Sequence, residues 1–187
     1  EDMLLITGLG NTGKEYENTP HNAGFLFVEM LRERMKGEGR LQVSDWEDEG
    51  KLFFSEICKI KKDGELVCIL QKPLTYMNRS GLAVRSISEK FKFERFILAH
   101  DDLDIELGKY KIQEGKSPNG HNGVISVEGT LGREDFTRVR IGIENRGDRK
   151  IPGKDYVLMK YTQDETDSLR EAISSSIEEI VTFLPSK

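Results

Sequence analysis

Short apolar runs that read as strands alternate along this chain with amphipathic segments that read as helices, and that alternation limits the fold more than any single residue does. Leu4-Leu5-Ile6-Thr7 offers no polar face, as expected of a strand covered on both sides. Residues 25–35 follow with Val28, Leu31 and Met35 at helical spacing. Lys62-Asp63-Gly64-Glu65 carries the signal of a two-residue hairpin turn between the runs 53–60 and 66–70. Residues 82–93 are again helical, with Val84, Ile87 and Phe91 on one face, and 96–99 reads as a central strand. Strands are expected at 109–113 and 138–141, with a helix starting at Val124 between them. The last helix has a capping box in Thr162 and Glu165 and a stripe of Leu169, Ile173, Ile177, Ile180 and Leu184. This order predicts an α/β fold: a mixed, twisted sheet with helices on both faces. With 187 residues, 36% hydrophobic and 33% charged, one domain over 1–187 is expected.

Several classes drop out early. No run approaches the roughly 20 apolar residues of a membrane span, and the first residues lack the basic and apolar regions of a signal peptide, so a cytoplasmic location without membrane contact is expected. Glu1 and Asp2 precede what would be the natural initiator Met3 and read as residues added for expression. The hairpin register expected from the Asp-Gly turn pairs Cys58 with Ile69 and puts Cys68 on the opposite face, so both cysteines read as small buried hydrophobes. A net charge of −5 argues against broad adhesion to nucleic acid but leaves room for a local basic patch. Lys109, Lys111 and Lys116, with Arg133, Arg138 and Arg140, are the two candidate clusters; the alternative is solvated strand edges and an exposed loop. Residues 144–154, rich in charge with Gly147, Pro152 and Gly153, read as a mobile surface loop.

Gly8-Leu9-Gly10-Asn11-Thr12-Gly13 matches a dinucleotide-binding fingerprint after a strand. That motif needs a helix to open at once so that its amides hold a pyrophosphate, whereas residues 14–20 are polar and a helix is plausible only after His21. The glycines instead suit a sharp loop at a strand's carboxyl end that presents Asn11. His21-Asn22 ends that loop, where Asn22 can serve as a helix cap. His100-Asp101-Asp102-Leu103-Asp104 comes off the central strand, and its acids suit a magnesium site, a solvated turn or the partner of an imidazole. No phosphate loop accompanies them, and Asp101 is the choice for orienting a histidine. In Gly120-His121-Asn122-Gly123, Asn122 either caps the next helix, leaving His121 exposed, or points at a substrate carbonyl. The loop 72–81 holds Tyr76, Met77 and Asn78 between its proline and glycine.

These islands resemble bacterial-type peptidyl-tRNA hydrolase: Gly8-Leu9-Gly10-Asn11, Thr19-x-His21-Asn22, Lys72-Pro73-x-Thr75-Tyr76-Met77-Asn78-x-Ser80-Gly81, His100-Asp101-Asp102-Leu103-Asp104, Gly120-His121-Asn122-Gly123 and Arg138-Val139-Arg140-Ile141-Gly142-Ile143, in family order. The resemblance implies an enzyme of translation and ribosome rescue that hydrolyses the ester between a peptide and the tRNA 3′ ribose. His21 would activate a water, Asp101 would hold and polarise it, Asn11 would recognise the peptide, and Asn78 would position peptide and water. Tyr16, Tyr76, Met77 and Asn122 would line the groove, with Lys111 and Arg140 on a tRNA phosphate. It implies no metal or cofactor, a peptidyl-tRNA partner engaged through acceptor stem, 3′ end and nascent peptide, and a monomer without an obligate protein partner. Chemically, an ester to a ribose hydroxyl is already activated, so water, a base and carbonyl-directed donors suffice. The sequence departs from the family pattern at Thr12 (usually proline), Pro20 (usually arginine), Gln113 (usually basic) and Ser117-Pro118-Asn119 (usually glycine-rich). Related organelle proteins thought to bind RNA without hydrolysis are the alternative, against which the intact His21, Asp101, Asn11 and Asn78 stand.

Overall fold

Three consecutive parallel pairings put the Leu4 run at the centre of the molecule. The computed structural model describes residues 3–115 and 120–184. In chain order its main elements are β1 (Leu4–Gly8), α1 (Ala23–Lys36), β2 (Leu41–Val43), β3 (Glu47–Glu49), α2 (Gly50–Phe53), β4 (Ser55–Lys62), β5 (Glu65–Pro73), α3 (Ser80–Lys90), β6 (Arg95–Glu106), β7 (Tyr110–Glu114), α4 (Asn122–Leu131), β8 (Thr137–Glu144), α5 (Gly153–Tyr156) and α6 (Gln163–Ile180). The sheet runs β2-β4-β5-β1-β6-β8-β7, with β3 also on β4. Pairs β5–β1, β1–β6 and β6–β8 are parallel, and the pairs toward both edges are antiparallel. The mixed α/β architecture is therefore as expected.

Each face of the sheet has its own core. Leu4 and Ile6 of β1 pack with Phe27, Leu31 and Met35 of α1 and Leu169, Ile173, Ile177 and Ile180 of α6. Leu5 points the other way, onto Val84 and Ile87 of α3 and Val124 and Val127 of α4. Burying each of these aliphatic side chains contributes about 1.5–3 kcal/mol, so both helical layers are firmly held. The α6 capping box forms as expected, Glu165 N donating to Thr162 Oγ1 and Thr162 N to Glu165 Oε1. The stripe ends earlier than expected, because α6 stops at Ile180 and Leu184 follows a 3-10 turn. Likewise α3 stops at Lys90, and Phe91 is extended so that its ring meets Phe53 and Phe93.

The hairpin corrects one reading. Asp63 and Gly64 both have positive φ, as the two-residue turn requires. A bulge after Ile60 then leaves Val67 without a partner, so Cys58 faces Leu70 and Ile60 faces Cys68. One extra residue flips every side chain beyond it. The cysteines therefore share a face and a core, both free and buried, with burial pushing each thiol up.

Two surface readings also change. In the segment 144–154, Arg146 bonds the Glu144 carboxylate and the Ile151 carbonyl, and Arg149 bonds the Arg146 carbonyl. Glu144 and Arg146 neutralise each other and these bonds tie the segment down, ending in α5. The proposed basic clusters also separate: Arg138 is fully buried on Glu128 and over the Phe136 ring, while Lys109 pairs with Glu106 and Arg133 with Asp135. Lys116 and Ser117-Pro118-Asn119, like Glu1 and Asp2, lie outside the described residues.

Candidate active site

The carboxyl end of β1 turns tightly against the first turn of α1. A Cβ on Gly8 would lie 2.0 Å from the Gly24 carbonyl oxygen, and one on Gly24 would lie 2.4 Å from Leu9 N and 2.5 Å from the Ala99 oxygen. Phe25 N, in the first turn of α1, already donates to Leu9 O at 3.1 Å. The amides that a pyrophosphate would need are thus covered by the chain itself, and the glycines serve backbone packing.

The same loop fixes Asn11. Asn22 does not cap α1 as expected; its side chain instead clasps the Asn11 backbone, accepting from Asn11 N at 2.8 Å and donating to Asn11 O at 3.0 Å. Asn11 Oδ1 accepts from Met77 N at 2.9 Å. With its oxygen committed, the Asn11 carboxamide has its Nδ2 donors left for the cleft that it lines. Pro20, buried, opens the 3-10 turn Pro20–Asn22 that carries His21, and His21 N donates to Val157 O at 2.9 Å.

Asp101 joins two histidines. Its Oδ2 lies 2.8 Å from His21 Nδ1 and its Oδ1 lies 2.8 Å from His121 Nε2. It is 2% exposed; burial alone would push its carboxyl up, but the charges and hydrogen bonds of the two imidazoles hold it far below the usual carboxylate range. Burial lowers the His21 pKa, yet the charge and hydrogen bond of Asp101 outweigh it, so His21 is raised overall. With Asp101 ionised, His21 Nδ1–H donates to it, and Nε2 keeps its lone pair on the cleft side. His121 is not the exposed residue that sequence allowed. It is buried and is itself the cap of α4, its Nδ1 accepting from Val124 N at 3.2 Å, while Asn122 is exposed in the cleft.

The acidic run is not a turn after the strand. Residues 100–104 lie within β6, which continues to Glu106 beside β8 through a register shift. Alternation therefore sends Asp101 to one face and its neighbours to the other. His100 is fully buried, donates from Nδ1 to the Asp101 carbonyl oxygen at 2.9 Å, and is pushed down to about 3 by burial and by His121, which keeps it neutral. Asp102 accepts from Arg140 Nε at 2.7 Å and from Asp104 N at 2.8 Å, so an arginine already neutralises it. His21, Asp101 and His121 form a group with ligand-type atoms within 4.8 Å of one another. Neighbouring donors in a tetrahedral site stand about 3.4 Å apart, given metal–nitrogen bonds near 2.1 Å. The 2.8 Å spacings are those of shared protons instead.

These groups open into a cleft of about 570 Å³. Tyr16 and Tyr76 meet edge-on at its mouth with ring centroids 6.4 Å apart, and Tyr76 is 56% exposed. Met77, Asn78 and Asn122 also line it. Sequence reasoning missed the opposite wall, Leu103 with Lys154, Val157 and Leu158: Leu103 stood in the acidic motif without a role, Lys154 ended the segment read as a loop, and no motif marked Val157 and Leu158. Arg140 and Lys111 do not line the cleft. They face each other across β7 and β8, and Arg140 is held by Asp102 and by Gln113 Oε1 at 2.7 Å. Gln113 thus orients the arginine that a cation there would repel.

A family model described as peptidyl-tRNA hydrolase matches residues 5–187. A peptidyl-tRNA hydrolase from Campylobacter fetus is 39% identical over 172 residues, 92% of this chain and 86% of that relative. One from Neisseria meningitidis serogroup C is 37% identical over 188 residues, 99% of this chain and 92% of the relative. The crystal structure of the Acinetobacter baumannii peptidyl-tRNA hydrolase superposes with a TM-score of 0.80 at 33% identity, covering 95% of this chain and 86% of that one.

Proposed function

The chain belongs to the peptidyl-tRNA hydrolase family, and from that premise we propose that it frees tRNA from peptidyl-tRNA with a water activated by His21. The observation that carries this reading is the 2.8 Å bond from His21 Nδ1 to a buried, ionised Asp101, which leaves Nε2 as a base at the cleft. As the water oxygen attacks the ester carbonyl, Nε2 takes its proton, and Asp101 stabilises the imidazolium. Amides of Asn11 and Asn78 suit the developing oxyanion and the peptide backbone, since each can donate. When the carbonyl re-forms, the bond to the ribose oxygen breaks and the imidazolium returns its proton to that oxygen. Free tRNA and a peptide carboxylic acid result, with no metal in the scheme.

Asn11 is the natural reader of a peptide, because its oxygen is committed to Met77 N and its Nδ2 can only donate. The exposed Tyr76, beside Tyr16, suits stacking on an unpaired 3′ base. Lys111 and Arg140 are the cations for an acceptor-stem phosphate. The substrate arises on the ribosome, so the expected setting is the cytoplasm, with the protein acting as a monomer.

Incubation with an N-acetylated aminoacyl-tRNA tests the reading: the wild type is expected to release deacylated tRNA, and His21→Ala to lose nearly all of that rate. A wild type that binds the tRNA and leaves the ester intact refutes it. So does a His21→Ala variant with near-normal turnover.

A further inference from the structure

The catalytic scheme uses only one oxygen of Asp101, and the other is taken by a group with no freedom in how it binds. His121 Nδ1 accepts the Val124 amide proton as the cap of α4. A nitrogen that accepts carries no proton, so the single proton of the neutral ring sits on Nε2 and goes to Asp101 Oδ1. The ring is 8% exposed and lies edge-on to buried His100, with centroids 5.2 Å apart. Protonating His121 would aim an N–H at the Val124 N–H and undo the cap. The geometry thus fixes Nε2–H as the donor to Asp101 and Nδ1 as the acceptor at the α4 cap.

We propose that His121 is a positioning residue that draws part of the Asp101 charge away from His21, so that the cap of α4 sets how tightly His21 holds a proton. The inference rests on the reading of His21 as the base and names a control on it. A dry carboxylate with His21 as its sole side-chain partner would hold the imidazolium firmly, and a base that is already protonated accepts nothing from water. A second N–H on the same carboxylate spreads its charge and frees His21 Nε2 at lower pH. The other ionisable groups around the pair are accounted for. Within β6, His100 is neutral, Asp102 is bonded to Arg140, and Asp104 lies in the cleft; Lys154 and Tyr16 stand on its other walls, and Tyr161, whose burial pushes its phenol far up, is uncharged near Asp101. Of these groups, His121 is the one that bonds the carboxylate His21 uses.

Two variants separate this role from a structural one. His121→Asn keeps a capping oxygen for α4 but is too short to reach Asp101, whereas His121→Phe keeps the ring volume, excludes water and donates nothing. The His21 imidazole titration, followed by nitrogen-edited NMR, and the acid limb of kcat/KM on N-acetylated aminoacyl-tRNA are read together. In both variants the His21 midpoint and the acid limb are expected to move up together by about one pH unit. A His21 midpoint that stays put or moves down in either variant overturns the proposal. A wild-type acid limb that does not follow the His21 midpoint counts instead against His21 as the base, and NMR still decides whether His121 controls that histidine.

Discussion

Replacing Asp101 by asparagine changes one atom and reverses the logic of the site. The carboxylate accepts from two N–H groups, His21 Nδ1 and His121 Nε2, both at 2.8 Å. An asparagine has one oxygen to accept and one amide to donate. His121 can only donate there, because its Nδ1 is committed to Val124 N, so the asparagine oxygen turns to His121. The amide then faces His21 Nδ1 and makes it an acceptor, which drives the proton onto Nε2, the nitrogen that must take it from water. The comparable change in a Ser-His-Asp triad, where the geometry survives and the tautomer is wrong, lowers turnover about 10⁴-fold, roughly 5 kcal/mol, and a loss of 10³–10⁴ is expected here. The acid limb gives a second readout. In the wild type, Asp101 raises His21 against the lowering effect of burial; without that charge, burial acts alone and the limb of the residual activity should move to lower pH. Because Asn11, Asn78 and Asn122 are untouched, KM for an N-acetylated aminoacyl-tRNA should change less than about threefold. Single-turnover hydrolysis between pH 5 and 9 measures all three. A loss below about tenfold, or an acid limb that moves up, would refute the tautomer argument.

Three other perturbations probe how the site is held. Gly24→Ala puts a methyl 2.4 Å from Leu9 N and 2.5 Å from the Ala99 oxygen, so β1 and α1 must part; thermal melting should show a loss of more than about 2 kcal/mol, and a near-native melting temperature would mean the loop yields easily. Asn22→Ala removes both bonds to the Asn11 backbone, and a loss of about 1–3 kcal/mol should be joined by weaker discrimination between N-acetylated and free aminoacyl-tRNA, read as a ratio of kcat/KM values; an unchanged ratio would separate Asn11 from peptide recognition. Arg140→Ala should weaken tRNA binding and lower its salt slope by about one, while also destabilising the fold because Asp102, 1% exposed, loses its counter-ion; Arg140→Lys should restore part of both, and an unchanged slope in the alanine variant would move the phosphate contact elsewhere.

What could be read from the sequence was what repeats. The period of β1, α1, β6 and α6 announced two helical layers on a mixed sheet, because each element buries one face or both along its whole length. What could not be read turned on single residues. The bulge after Ile60 moves Cys68 to the face of Cys58 and leaves no mark in the alternation of the hairpin. Arg138 and Arg140 stand two apart on one strand and should share a face, yet the first is buried on Glu128 of α4 while the second stays partly exposed on Asp102 of β6. The catalytic residues sat in dense motifs and could be named. Their bonding was harder, because an asparagine next to each of two histidines suggested two helix caps, whereas Asn22 holds a loop and His121 does the capping itself.

That exchange of roles has a consequence for charge. The site gathers the carboxyl end of β1, the middle of β6 and the N-terminal ends of α1 and α4, whose first amides bring partial positive charge together. Such a setting favours an oxyanion but disfavours the imidazolium that must form beside it. Asp101 resolves the conflict by supplying a full negative charge within 2.8 Å of His21, and the hydrogen bond from His121, itself held at the α4 cap, helps that charge stay ionised while buried. With His121 bonded to both α4 and the carboxylate, the start of α4 helps to fix the acid that the base depends on. A substitution at His121 should therefore be felt in the pH dependence of hydrolysis.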